Sequence, residues 1–123
     1  MEPKIWGPHL WFFLHSMTFS YAVKKDNPTR SEKKHMYTFL ESLKYVLPCI
    51  CKNNYKIYFD ANPPRLNSRR ELFEWVVDLH NHVNEEYNRE QLMKNPNVKK
   101  ESLKRFYSYS EVETRYKNIY NKV

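Results

Sequence analysis

A chain of 123 residues has the length of one domain, spanning 1–123, and buries a modest core, with roughly two thirds of its unfolded surface removed from water. Its 41% hydrophobic content excludes global disorder, and its single glycine, Gly7, excludes phosphate-cradling loops of the GxGxxG kind and argues against a tight-turned β-protein. The net charge of +7 raises a nucleic-acid or membrane-surface partner, but Lys and Arg are scattered and acids accompany them in "SRRELFEW" and "NEEYNREQ", so charge alone identifies no such partner.

Helical periodicity dominates. A first helix is expected over residues 8–23, opened by Pro8 at a first-turn position, with Trp11, Leu14, His15 and Thr18 on one side. Thr29 and Glu32 make a capping box for a second helix that runs to about Val46, with Met36, Phe39, Leu40, Leu43 and Leu47 facing a core. Pro48 stops it or starts a third helix over about 50–61, which ends before Pro63-Pro64. Ser68 and Glu71 cap a long helix over 69–87, carrying Leu72, Trp75, Val76, Leu79, Val83 and Tyr87 at helical spacing. Residues 88–107, polar and basic with Pro96, read as an irregular connection, and Ser108 with Glu111 opens a short helix to about Asn121. The fold class is therefore all-α: a four-helix bundle plus a short fifth helix. The longest apolar run, "LWFFL", is too short to span a bilayer and no signal peptide opens the chain, so a cytosolic or internal location is expected.

The two cysteines, Cys49 and Cys51, follow Pro48 with one residue between them. A structural zinc wants four Cys or His ligands, and none of His9, His15, His35, His80 and His82 stands at a zinc-knuckle spacing; no metal is expected. Buried core filler is a second reading. Redox chemistry is the third, since a thiolate near a helix N-terminus is stabilised there. Residues two apart in a helix diverge by about 160°, so a Cys49–Cys51 disulfide requires Cys49 to stand outside regular helix.

The surroundings of the pair resemble the FAD-linked sulfhydryl oxidases, the Erv and augmenter-of-liver-regeneration family. "WGPHLWFFLH" looks like the family's W-G-x-x-x-W-x-x-L-H, giving Trp6, Gly7, Trp11 and His15, with Tyr21 at a following aromatic position. "LPCIC" sits where the family has a proline and its redox CxxC. "NPPRLNSRRELFEWVVDLHNHVNEEYNR" resembles the N-P…S-R…L…W…H-N-x-V-N…K/R block, with Trp75, His80, Asn81, Val83 and Asn84 in register and Arg89 at the basic position. "SEVETRYKNIY" resembles the closing S…R-W…W segment, with Tyr116 and Tyr120 standing for aromatics.

The resemblance implies a helical bundle that holds FAD, usually as a homodimer. It implies cofactor contacts from Trp6, Trp11, His15, Tyr21, Trp75, His80, Asn81, Val83, Asn84, Arg89 and Tyr116. It also implies catalysis by Cys49, which exchanges with a substrate dithiol or thioredoxin-like carrier, and Cys51, which faces the flavin; molecular oxygen then takes the electrons to give hydrogen peroxide. Taken singly, Trp75 and Val83 also read as core, His15 as a satisfied core histidine and Tyr116 as packing. The chain departs from the family in having CxC for CxxC, as if one residue were lost between the cysteines, and in having no further cysteine for a shuttle or intersubunit bond. Its economy resembles the minimal viral members, which implies work in a host cytoplasm or virion. Two other readings stay open: a non-catalytic FAD- or partner-binding member of the same fold, and a basic helical module that binds nucleic acid.

Overall fold

The computed structural model describes residues 3–22, 27–48 and 52–120. Five α-helices run in chain order: α1 (Pro3–Thr18), α2 (Arg30–Val46), α3 (Lys52–Ala61), α4 (Arg69–Lys94) and α5 (Tyr109–Tyr120), with a 3₁₀ turn at Lys100–Ser102. The chain is all-α among the described residues, as the periodicity implied. Cys49 and Cys51 fall between α2 and α3 in the chain and lie outside the described residues.

The start of α1 differs from the sequence expectation. The proline at its first position is Pro3, and Pro8 lies inside the helix, where its missing N–H removes one i→i−4 bond without ending the run. The C-terminal end is also earlier. After Thr18 the amides of Phe19, Ser20 and Tyr21 bond to carbonyls three residues back, at 3.1, 3.1 and 3.4 Å, and Ala22 takes the left-handed conformation with φ 52°. The expected final turn is thus replaced by tight turns through Ala22.

Two of the three expected capping boxes form in full, at Thr29 and Ser108, and the one at Ser68 forms only its first half. The Thr29 hydroxyl accepts from the Glu32 amide at 3.1 Å and the Glu32 carboxylate accepts from the Thr29 amide at 2.9 Å. Ser68 accepts from the Glu71 amide at 3.1 Å. The Ser108 amide donates to Glu111 at 2.7 Å while the Glu111 amide donates back to the Ser108 hydroxyl at 3.2 Å. Each satisfies helix N–H groups that otherwise have no partner.

The long fourth helix runs seven residues past its expected end at 87, to Lys94. Residues 88–94 carry no apolar stripe, but Glu, Arg, Gln, Leu, Met and Lys favour helix on their own. The stop comes from Asn95 and Pro96, because a residue before proline avoids the α region. Phe39, expected to face the core, is 37% exposed, and Tyr87, which follows the helical spacing of α4, is 38% exposed. Phe39 instead meets the ring of Phe13 edge-on at 6.1 Å.

Helix α4 is the organising element, packed against α1, α3 and α5, while α2 packs on α3. One core cluster gathers Leu14, Leu40, Leu43, Tyr55, Phe59, Leu72, Trp75, Val76 and Leu79 from the first four helices. The Tyr55 hydroxyl donates to the Leu40 carbonyl at 2.6 Å and the Trp75 indole N–H to the Asn62 carbonyl at 2.8 Å, so neither buried polar tip is left unpaired. A second cluster, Phe19, Phe73, Val77, Val112 and Tyr116, docks α5. Asp78 ties the layers together by accepting from Arg65 at 2.9 Å and from the Tyr109 hydroxyl at 2.6 Å.

Trp75 is fully buried among Tyr58 and Phe59. Trp75→Ala is therefore expected to lower unfolding free energy by about 3–5 kcal/mol, read as a fall in the urea midpoint of the protein without added ligand. An unchanged midpoint would remove Trp75 from the core.

Candidate functional site: an aromatic cleft between α1, α4 and α5

Trp11 and His15 lie one turn apart on α1, and His80 faces them from α4. The Trp11 and His80 rings stack, with centroids 4.0 Å apart and planes 10° from parallel. His15 Nε2 and His80 Nδ1 are hydrogen-bonded at 2.9 Å, one ring donating and the other accepting. Tyr116 of α5 lies 5.1 Å from the His15 ring, and Tyr107, from the connection after α4, lies 5.0 Å from the His80 ring. Five rings from four segments thus meet in one place, and His15 is only 2% exposed.

Burial fixes the charge state of the pair. It lowers the His15 pKa from 6.5 to about 4, with the Arg115 cation adding to the effect. Burial lowers that of His80 to about 3, aided by His15, Lys104 and Arg115. Both imidazoles are neutral at physiological pH, so each ring offers one donor and one acceptor. The bond between them uses one nitrogen of each. His15 Nδ1 remains buried with no partner, and with Trp6 Nε1 it makes up the buried side-chain polar atoms left unpaired among the described residues. A buried nitrogen without a partner is costly.

Beside the pair a cleft of about 90 Å³ opens, lined by His15, His80, Arg105, Tyr107, Arg115 and Tyr116. Glu111 and Val112 complete the lining, so its apolar faces are largely aromatic and its rim is mixed in charge, with Arg105 paired to Glu111 and Arg115 beside them. A wider concavity of about 490 Å³ lies at the start of α5. There Arg70 and Lys117 are both paired with Glu113, as Arg105 is with Glu111 at the cleft, but none of its lining residues carries a buried unpaired nitrogen or a histidine. The weight falls on the histidine cleft.

Of the residues singled out in the sequence, Trp11, His15, His80 and Tyr116 come together here; His15, His80 and Tyr116 line the cleft, and Trp11 stacks on His80 without lining it. Tyr21 belongs to the first core cluster, and its hydroxyl donates to the Leu66 carbonyl at 2.7 Å while burial pushes its pKa up to about 12. Trp75 is in that core too, and Val83 packs against it. Trp6 does not line the cleft. Arg89 is exposed on the last turns of α4 and pairs with Glu86. Asn81 and Asn84 are buried, but their side-chain amides donate to the carbonyls of Tyr107 and Arg105, at 2.8 and 3.2 Å. Cys49 and Cys51 lie outside the described residues.

Sequence reasoning missed Arg105, Tyr107 and Arg115. Arg115 precedes Tyr116 in "TRYKNIY" and was legible as the arginine of that segment. Tyr107 and Arg105 stand in a stretch with no periodicity to mark them.

Residues 8–115 match the Erv1 / Alr family. The chain is 40% identical over 88 residues to a probable FAD-linked sulfhydryl oxidase of Acanthamoeba polyphaga mimivirus, an alignment covering 68% of this chain and 59% of the relative. It is 35% identical over 95 residues to a putative FAD-linked sulfhydryl oxidase of Invertebrate iridescent virus 3, covering 75% of this chain and 62% of the relative. The chain thus spans about three fifths of the length of these relatives. Among solved structures, the FAD-binding domain of Erv1 from Saccharomyces cerevisiae superposes with a TM-score of 0.77 at 28% identity, covering 96% of each chain.

The histidine pair sets an acid limit. Both folded pKa values lie below 6.5, so the pair's contribution to stability is fully present above about pH 6.5 and is lost as pH falls through about 4 and about 3. Imidazole ¹⁵N spectra are expected to show both rings neutral at pH 6, with charging only near the acid unfolding transition. Titration of either ring near its ordinary value in the folded protein would contradict this burial.

Proposed function

We propose that this chain, which belongs to the Erv1/Alr family, is an FAD-dependent thiol oxidase that makes disulfides in partner proteins. The observation that carries the reading is the gathering of the Trp11, His80, Tyr107 and Tyr116 rings around the neutral His15–His80 pair, whose buried His15 Nδ1 lacks a partner. A flavin or an adenine is a flat ring system that stacks on aromatics. Its polar edge suits neutral imidazoles, and its pyrophosphate suits arginine. The residues present therefore fit FAD. His80, backed by the stacked Trp11, with Tyr107 and Tyr116 would hold a ring, His15 would meet a polar edge, and Arg115 would face phosphate, while Arg105 is held by Glu111. The remaining contacts implied by the resemblance, Trp6, Tyr21, Trp75, Asn81, Val83, Asn84 and Arg89, are part of this proposal. The cleft is smaller than the roughly 300 Å³ or more that encloses a drug-sized ligand, so a dinucleotide held here lies partly outside it.

The thiol chemistry belongs to Cys49 and Cys51. A thiolate of a partner dithiol, in a substrate or a thioredoxin-like carrier, attacks Cys49 Sγ and breaks the Cys49–Cys51 bond, releasing Cys51 as thiolate. The partner's second thiol then attacks the mixed disulfide and releases Cys49. The partner has lost two electrons and two protons, and the cysteine pair has gained two electrons. When bound, FAD would supply the two-electron acceptor that reoxidises the pair, with oxygen as the final acceptor and hydrogen peroxide as the product. The family resemblance gives Cys51 the role of exchanging electrons with the cofactor and Cys49 that of exchanging with the partner. A non-catalytic member of the fold would lack this cycle.

The viral relatives support a place in a host cytoplasm or virion. No helix among the described residues is long and apolar enough to cross a membrane. A homodimer is supported by exposed apolar side chains on α1 and α2: Ile5 is 63% and Phe13 53% exposed, beside Phe39. Phe13→Glu should convert the dimer to a monomer in sedimentation; a dimer that survives it must use another face.

Protein supplied with FAD should consume oxygen when given dithiothreitol. Cys51→Ser should still bind FAD yet fall to background turnover, whereas undiminished turnover in that variant would refute the assigned chemistry.

A further inference from the structure

The carboxamides of Asn81, Asn84 and Asn88 stand at i, i+3 and i+7 on α4, and all three reach the same stretch of backbone. Asn81 donates to the Tyr107 carbonyl and accepts from the Tyr107 amide, both at 2.8 Å. Asn84 donates to the Arg105 carbonyl at 3.2 Å. Asn88 donates to the Lys104 carbonyl and accepts from the Lys104 amide, both at 2.7 Å. Seven residues of helix rise about 10.5 Å, and three residues of extended chain span about 10 Å. The two repeats therefore stay in step, running antiparallel. A carboxamide presents an acceptor and a donor as a peptide group does, so Asn81 and Asn88 each exchange the pair of bonds that an antiparallel strand neighbour would.

This arrangement has a consequence for the cleft. Residues 104–108 belong to no helix or strand, yet Arg105 and Tyr107 form one of its walls. The Arg105 guanidinium lies over the Tyr107 ring at 4.9 Å and pairs with Glu111. On the other side Lys104 lies over the Tyr87 ring at 5.3 Å. We propose that Asn81, Asn84 and Asn88 act as an asparagine clamp that fixes this wall, and that Asn88, which does not line the cleft, is a positioning residue for ligand capture. The clamp rests on the hydrogen bonds themselves; the identity of the ligand rests on the proposed FAD-dependent activity.

Asn88→Ala tests it without endangering the fold, because Asn88 is half-buried on an outer turn and alanine is the better helix former. Amide exchange at Lys104 should accelerate about tenfold, the scale of one to two net hydrogen bonds, while core amides of α2 and α3 keep their protection. FAD affinity should weaken by about the same factor. Asn88→Asp retains an oxygen that accepts from the Lys104 amide, so exchange there should stay within about threefold of the unaltered protein. Unchanged exchange in Asn88→Ala, or equal loss of protection in Asn88→Asp, would overturn the clamp. Faster exchange with unaltered FAD affinity would overturn the positioning role. If the unaltered protein takes up no FAD, the proposed activity fails, and exchange at Lys104 alone decides the clamp.

Discussion

The hydrogen bond between two uncharged imidazoles, His15 on α1 and His80 on α4, is the interaction around which the site is built. Two histidines brought this close would repel if both were charged. Burial prevents that by holding both pKa values well below neutrality. The neutral pair then carries a definite proton order: a donor given across the bond leaves an acceptor at the far nitrogen of the same ring, and the reverse. What occupies His15 Nδ1 therefore sets what His80 offers on its outer edge. Trp11, stacked on His80, and Tyr116, against His15, complete a ring-lined wall that is apolar on its faces and polar at its edges.

Helix α4 serves two purposes along its length. Its first half is core, with Leu72, Phe73, Trp75, Val76, Val77 and Leu79 all buried. Its second half has little apolar surface to bury and instead uses side-chain amides to hold a neighbouring stretch of backbone. The change from apolar packing to amide pairing falls at His80 and Asn81, next to the cleft. Precise polar bonds there hold Arg105 and Tyr107 where an apolar contact would leave them freer to shift.

How much of this could be read in the sequence depended on whether the signal was local. The caps at Thr29, Ser68 and Ser108 were legible because a capping box is contained in four residues. The stop before Pro63-Pro64 was legible for the same reason. The end of α4 was not, since residues 88–94 have helix propensity without periodicity, and polarity read as a loop. Trp11, His15, His80 and Tyr116 were found through the family resemblance and do converge. The resemblance alone did not show that the amides of Asn81 and Asn84 bond to chain backbone. Asn88 was missed altogether, because its partner lies sixteen residues away in a segment without pattern. Whether a buried tryptophan such as Trp75 serves core or ligand is decided by its surroundings, which only three dimensions supply.

FAD binding at the His15–His80 cleft is the proposal on which the rest depends. Its most direct test is a titration of the protein with FAD while the imidazole nitrogens of His15 and His80 are followed by ¹⁵N resonance. The expected result is a saturating change at His15 Nδ1 that completes at one FAD per chain and reports a new hydrogen-bond partner. Saturable FAD uptake that leaves both imidazoles unmoved would place the cofactor elsewhere and contradict the claim.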